Sequence, residues 1–235
     1  MWWDVAPADE TQLDDPIYAA LTGPHARFAQ VCGRVFRYPE DVAPFFAMPS
    51  PASAQDWRDA AALVQPGTYA AVRHNGIELP GDWHAAMSFE LVQMTGERTI
   101  GAEFPEAIPL GPPDVPEMLE LVTETEPGPF LTRTIELGDY VGVRDDGRLI
   151  AMAGERLRLD GWTEISAVCT SPGHRGRGLA SALVRALAAN IEGRSERVFL
   201  HVLAGNTGAI RLYEELGFRV RETATLTVAG PKPRD

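Results

Sequence analysis

One stretch constrains the fold more than any other: Val168-Cys169-Thr170-Ser171-Pro172-Gly173-His174-Arg175-Gly176-Arg177-Gly178-Leu179-Ala180. An apolar strand runs into a glycine-rich turn, and the turn opens an amphipathic helix. Glycines remove the side chains that would hold a phosphate away from the backbone. The first turn of the helix has unpaired amide hydrogens, and its dipole favours an anion there. The amides of Gly176 to Ser181, with Arg175 and Arg177 beside them, therefore form a candidate diphosphate cradle. Two other phosphate loops fit less well. A Walker A loop needs a Gly-Lys pair, which the chain lacks. A dinucleotide fingerprint needs a third glycine where Ser181 stands. A tight strand-to-helix connection that binds nothing is the remaining reading of this loop alone.

The residues that follow narrow the choice. Leu179, Leu183, Leu187 and Ile191 recur at helical spacing over 178–192, and Gly193 is a suitable stop. Arg197 to Leu203 is almost wholly apolar, as in a strand buried on both faces. Then comes Asn206-Thr207-Gly208-Ala209-Ile210-Arg211-Leu212-Tyr213-Glu214-Glu215-Leu216-Gly217-Phe218. Arg175, Gly178 and Ala180 fall on Arg/Gln-x-x-Gly-x-Gly/Ala, and this second segment falls on Asn-x-x-Ala-x-x-Leu-Tyr-x-x-Leu-Gly-Phe. Together the two segments resemble the paired signatures of the GNAT superfamily of N-acyltransferases.

Residues 108–228 carry the resemblance, in the order helix, helix, three strands, helix, strand, helix, strand. It implies an α/β fold: a mixed, mostly antiparallel sheet with helices on both faces. It also implies acetyl-CoA as co-substrate, no metal, and acetyl transfer to a primary amine by direct attack in a ternary complex. In such enzymes the strand before the phosphate loop splays from its neighbour. Val168, Cys169 and Thr170 would then offer backbone groups to the pantetheine arm. Tyr213 is the candidate general acid for the leaving thiolate. Its other reading is an aromatic that packs the helix on the sheet. Asn206, seven residues earlier, is a candidate cofactor contact and equally a helix cap. Glu164 is the candidate general base: the resemblance implies it, since histone-type GNAT enzymes place a glutamate at this relative position, and alternation puts 164, 166 and 168 on one face. A strand-edge carboxylate in a surface ion pair is the competing reading. Glu155 is the reserve.

Acidic and basic residues are unevenly placed. Residues 1–132 hold 20 acids and 6 bases, and residues 133–235 hold 13 acids and 15 bases. The acidic half argues against nucleic acid, and an anionic cofactor belongs with the other. No apolar run reaches the ~18 residues of a membrane span. The start, Met1-Trp2-Trp3-Asp4, lacks the pattern of a signal peptide. Two cysteines cannot build a disulfide framework. These features predict a cytoplasmic protein with a small-molecule or peptide amine as partner, and pairing with a second copy stays open. An acyl-CoA sensor or complex partner with a silent site is the rival function.

Five prolines between Pro105 and Pro116 exclude a continuous helix or central strand, which predicts a junction near residue 106. Residues 1–105 would form a smaller α+β lobe, with helices over 16–28 and 54–64 and strands over 69–73 and 86–94. Gly67–Gly76 echoes Gly138–Gly147 at five of ten positions. That echo suggests a degenerate GNAT-like lobe without a phosphate loop, walling one side of the cleft. Residues 106–235 would be the catalytic domain.

Overall fold

The computed structural model describes residues 9–74, 78–96 and 100–233. Its main sheet is built from β4 (Ala70–His74), β5 (Trp83–Gly96), β6 (Ile108–Leu110), β7 (Tyr140–Asp145), β8 (Arg148–Leu159), β9 (Trp162–Thr170), β10 (Arg197–Leu203) and β11 (Phe218–Pro231). The order is β4-β11-β5-β10-β9-β8-β7-β6, with β9–β10 parallel and the other pairs antiparallel. A smaller antiparallel sheet, β1 (Gln30–Cys32), β2 (Val35–Arg37) and β3 (Phe46–Ala47), belongs to the N-terminal segment. The helices are α1 (Pro16–Thr22), α2 (Ala54–Leu63), α3 (Val115–Thr125), α4 (Leu179–Gly193) and α5 (Thr207–Leu216).

Local chemistry accounts for most boundaries. Ser53 and Asp56 form a reciprocal capping box that starts α2. Asp15 caps α1 just ahead of Pro16. Asp146 and Gly147 both take positive φ, as a two-residue turn between β7 and β8 requires. The proline-rich stretch does contain a strand, the three-residue β6, but it lies at the sheet edge, where Pro109 costs no interior ladder bond.

The two faces of the sheet bury different helices. Leu183, Val184, Leu187 and Ile191 of α4 pack with Val198, Leu200 and Val202 of β10, and Tyr213 and Leu216 of α5 join them. Phe199, in the alternate register, packs with Leu13, Ile17 and Leu21 from the N-terminal segment. Met118 and Leu121 of α3 cover Leu149, Met152 and Cys169. The helices thus flank a mostly antiparallel sheet on both faces.

The main sheet runs across the junction expected near residue 106. β5 lies between β10 and β11, and Val92, Met94 and Ile100 share the core beneath α4. The two segments that echo each other occupy different settings. β7 forms a hairpin with β8, whereas β4 is an edge strand paired with β11. The end of the first echo, residues 75–76, lies outside the described residues.

Candidate active site

Parting strands create the site. β9 and β10 pair only at Trp162, Thr163 and Glu164 with Arg197, Val198 and Phe199, and then diverge. β10 turns to β5, and β9 stays with β8. Ala167 has φ 52°, and the β8–β9 register shifts between Met152 and Gly154. A bulge therefore stands in β9, which bends the strand and re-aims its side chains. It also breaks the simple alternation expected from 164 to 168.

The opening holds a cavity of about 990 Å³. Val168, Cys169 and Thr170 line one side, with Arg175, Gly176, Gly178, Leu179, Ala180 and Ser181 at the loop end and Asn206 and Tyr213 nearby. Arg177 is not in the lining and lies 3.7 Å from Asp145. Gly176 and Gly178 both have φ 76°, a left-handed conformation, and a Cβ at either would meet only open space. No side chain caps α4, so the first-turn amides at Leu179, Ala180 and Ser181 stay open to a ligand. An uncapped 15-residue helix behind two left-handed glycines fits a diphosphate.

Tyr213 is only 8% exposed, and its ring packs edge-on against Phe218 at 5.8 Å. Its hydroxyl has no hydrogen-bond partner among the described residues, and burial pushes its pKa up to about 12. Packing and cavity lining are thus both features of this side chain. Asn206 accepts a hydrogen bond from the Ala209 amide at 3.1 Å and caps α5 while lining the cavity. Burial raises the Cys169 thiol to about 11, which keeps it protonated and unsuited to nucleophilic attack.

Glu164 is fully buried and does not line the cavity. Arg156 donates to both its oxygens, at 2.8 and 2.7 Å, and His201 Nδ1 lies 2.7 Å from Oε1. Burial alone would raise its pKa. The Arg156 charge and the hydrogen bonds from Arg156 and His201 outweigh that and hold it at about 2. A carboxylate this acidic and this fully occupied is a poor acceptor for an ammonium proton. Glu155, the reserve, is bonded to Arg194 at 2.8 Å and is also absent from the lining.

Arg156 and His201 escape the sequence reading, and both line the cavity. The β8–β9 register shifts between Glu155 and Arg158, so Arg156 and Leu157 together face Glu164. An unbroken hairpin ladder about Asp160-Gly161 would have set Leu157 there. His201 donates from Nδ1 to Glu164, and its Nε2 lies 3.2 Å from Gln93 Nε2. Gln93 Oε1 is held by Arg221 at 3.1 Å, which leaves the Gln93 amide as the donor to the ring.

Comparison with known proteins places the chain. The family model described as FR47-like protein matches residues 140–227. A GNAT-family crystal structure from Novosphingobium aromaticivorans is 37% identical, with a TM-score of 0.87, over 94% of this chain and 99% of that one. The chain belongs to the GNAT family. A GCN5-related N-acetyltransferase from Kribbella flavida, 19% identical with a TM-score of 0.61, shares the fold. Among curated relatives, mycothiol acetyltransferase from Corynebacterium efficiens is 35% identical over 85 residues, which is 36% of this chain and 29% of that enzyme. The Corynebacterium glutamicum enzyme is 46% identical over 61 residues, 26% of this chain and 21% of its own. This GNAT chain therefore matches under a third of the length of those relatives. Among its described residues, no helix is long and apolar enough to cross a membrane, and no three His, Cys, Asp or Glu side chains gather to hold a metal ion.

Proposed function

We propose that this GNAT protein transfers an acetyl group from acetyl-CoA to a primary amine by direct attack in a ternary complex. One observation carries the reading: the uncapped glycine turn, the bulged edge of β9 and the unpartnered Tyr213 hydroxyl meet in a single cavity. The loop would hold the diphosphate, and the edge of β9 at Val168 to Thr170 that β10 leaves unpaired would take the pantetheine arm as an added strand. Acetyl-CoA, as substrate, supplies the thioester. The amine nitrogen forms the new C–N bond, the C–S bond breaks, and one N–H proton leaves to solvent.

Magnitudes assign the proton steps. A phenol at about 12 facing a thiol near ~8.5 makes full proton transfer uphill by ~5 kcal/mol. Tyr213 therefore stabilises the departing sulfur by donating a hydrogen bond, and solvent completes the protonation. Glu164 is assigned a positioning role: it holds Arg156 and His201 against the cavity wall. An alkylamine with a pKa near ~10.4 is roughly one part in a thousand neutral at pH 7.4. The enzyme draws on that neutral fraction, and water carries the proton away.

The test measures thiol release from acetyl-CoA across a panel of amines, beside the thermal shift caused by CoA. Thiol release that needs both the amine and an intact loop supports the reading. A melting temperature unchanged by millimolar CoA overturns it.

A further inference from the structure

The cavity wall away from the glycine loop is made largely by side chains before residue 92, outside the 140–227 family match. Met87 and Phe89 of β5 stand directly opposite Val228 and Leu226 of β11. Alternation sets these four on one face, and they line the cavity together with Ile17 and Phe45. Met87 remains 52% exposed and Tyr69, also in the lining, 47%. Apolar surface gathered in a cavity marks a binding wall rather than scattered surface residues.

Charge narrows the occupant. Among the described lining residues, the one carboxylate is Glu126, exposed just past the end of α3. The cations beside the wall already have partners. Arg73 is held by the carbonyls of Leu13 and Asp14 and by Glu222, and Arg156 by Glu164. A polycation finds no set of carboxylates here, and a polyol finds few polar groups on the Met87–Leu226 stripe.

From this wall, and resting on the acetyl-transfer reading, we propose that the acceptor is a small primary amine with an uncharged apolar body. Its body lies on the Met87–Val228 and Phe89–Leu226 pairs, and its nitrogen points to the mouth of the β9–β10 opening. The N-terminal segment is then the specificity-determining part of the enzyme.

An alkylamine series tests this, because its members differ in apolar length and hardly in basicity. kcat/KM for acetyl transfer should rise about fourfold per added methylene, the equivalent of ~0.8 kcal/mol, so hexylamine should exceed butylamine by roughly 15-fold. Hexylamine and 2-phenylethylamine should outrun spermidine and glucosamine at least tenfold. Met87→Glu, at an exposed position that leaves folding intact, should flatten the series. A flat series in the native protein overturns the proposal, whether octanoyl-CoA or a second copy of the chain proves to cover those side chains. Preference for spermidine or glucosamine overturns it too. The underlying reading fails separately, and takes the proposal with it, if CoA gives no thermal shift and no amine releases thiol.

Discussion

Arg156 grips Glu164 with two parallel hydrogen bonds, Nε to Oε2 at 2.8 Å and Nη2 to Oε1 at 2.7 Å, beneath the cavity floor. A fork-to-fork pair of this kind is directional, and here it is wholly buried on the carboxylate side. Glu164→Gln leaves the guanidinium without its counter-charge. We expect a loss of about 3–5 kcal/mol in unfolding free energy, the usual cost of breaking one side of a buried pair. Denaturant titration checks the loss. The pH profile separates the roles: a positioning Glu164 leaves log kcat/KM rising with pH in the variant as in the parent. Disappearance of an acid limb present only in the parent would restore Glu164 as the base.

Acid should destabilise this protein through two groups that titrate in successive pH ranges. His25 is buried, and burial first, then the nearby Arg27 charge, lowers its pKa to about 4. The unfolded chain binds a proton there from about pH 6.5 downward, so stability falls between pH 6.5 and 4. Glu164, held at about 2, adds stability that is full above pH 4.5 and is lost as pH falls towards 2. Burial raises the Asp15 carboxyl to about 6, so its protonation returns stability between about pH 6 and 4 and opposes His25 there, and thermal melts from pH 7 to 3 should fall steeply only below pH 4. Replacing His25 with Gln should make the variant's stability, relative to the native protein's, rise as pH falls from 6.5 to 4, and an unchanged difference there would remove His25 from the account.

Gly178 is required for its backbone and for the open space before α4. Gly178→Ala places a Cβ on a residue at φ 76° and should cost about 1 kcal/mol. Gly178→Val adds bulk over the first-turn amides and should abolish CoA binding. With CoA near 100 times its dissociation constant, the native protein should gain ~2.7 kcal/mol, and calorimetry on Gly178→Val should detect no binding. Retained CoA affinity would move the diphosphate elsewhere.

Tyr213→Phe keeps the ring against Phe218 and deletes the unpartnered hydroxyl. Melting temperature and CoA affinity should hold. kcat should fall about 10- to 100-fold, the scale of a lost hydrogen bond to a charged atom. Full turnover with a lowered melting temperature would reduce the tyrosine to packing.

How much was legible in the sequence follows from how local each interaction is. The glycine turn, the helical repeat of Leu183 to Ile191, the Asn206 cap and the Asp146-Gly147 turn act within a few residues, and residue types alone specify them. The phosphate loop and the two signatures could be read for the same reason. Three things needed the tertiary structure. The bulge at Ala167 arises from the mismatch of two strands and carries no composition of its own. The shift that sets Arg156 on Glu164 likewise depends on pairing rather than on either strand. The insertion of β5 between β10 and β11 joins residues more than a hundred positions apart, and it turns an unremarkable N-terminal sequence into the apolar wall of the cavity. Local backbone chemistry is written in neighbours along the chain; strand register and sheet order are fixed by which distant surfaces bury each other best.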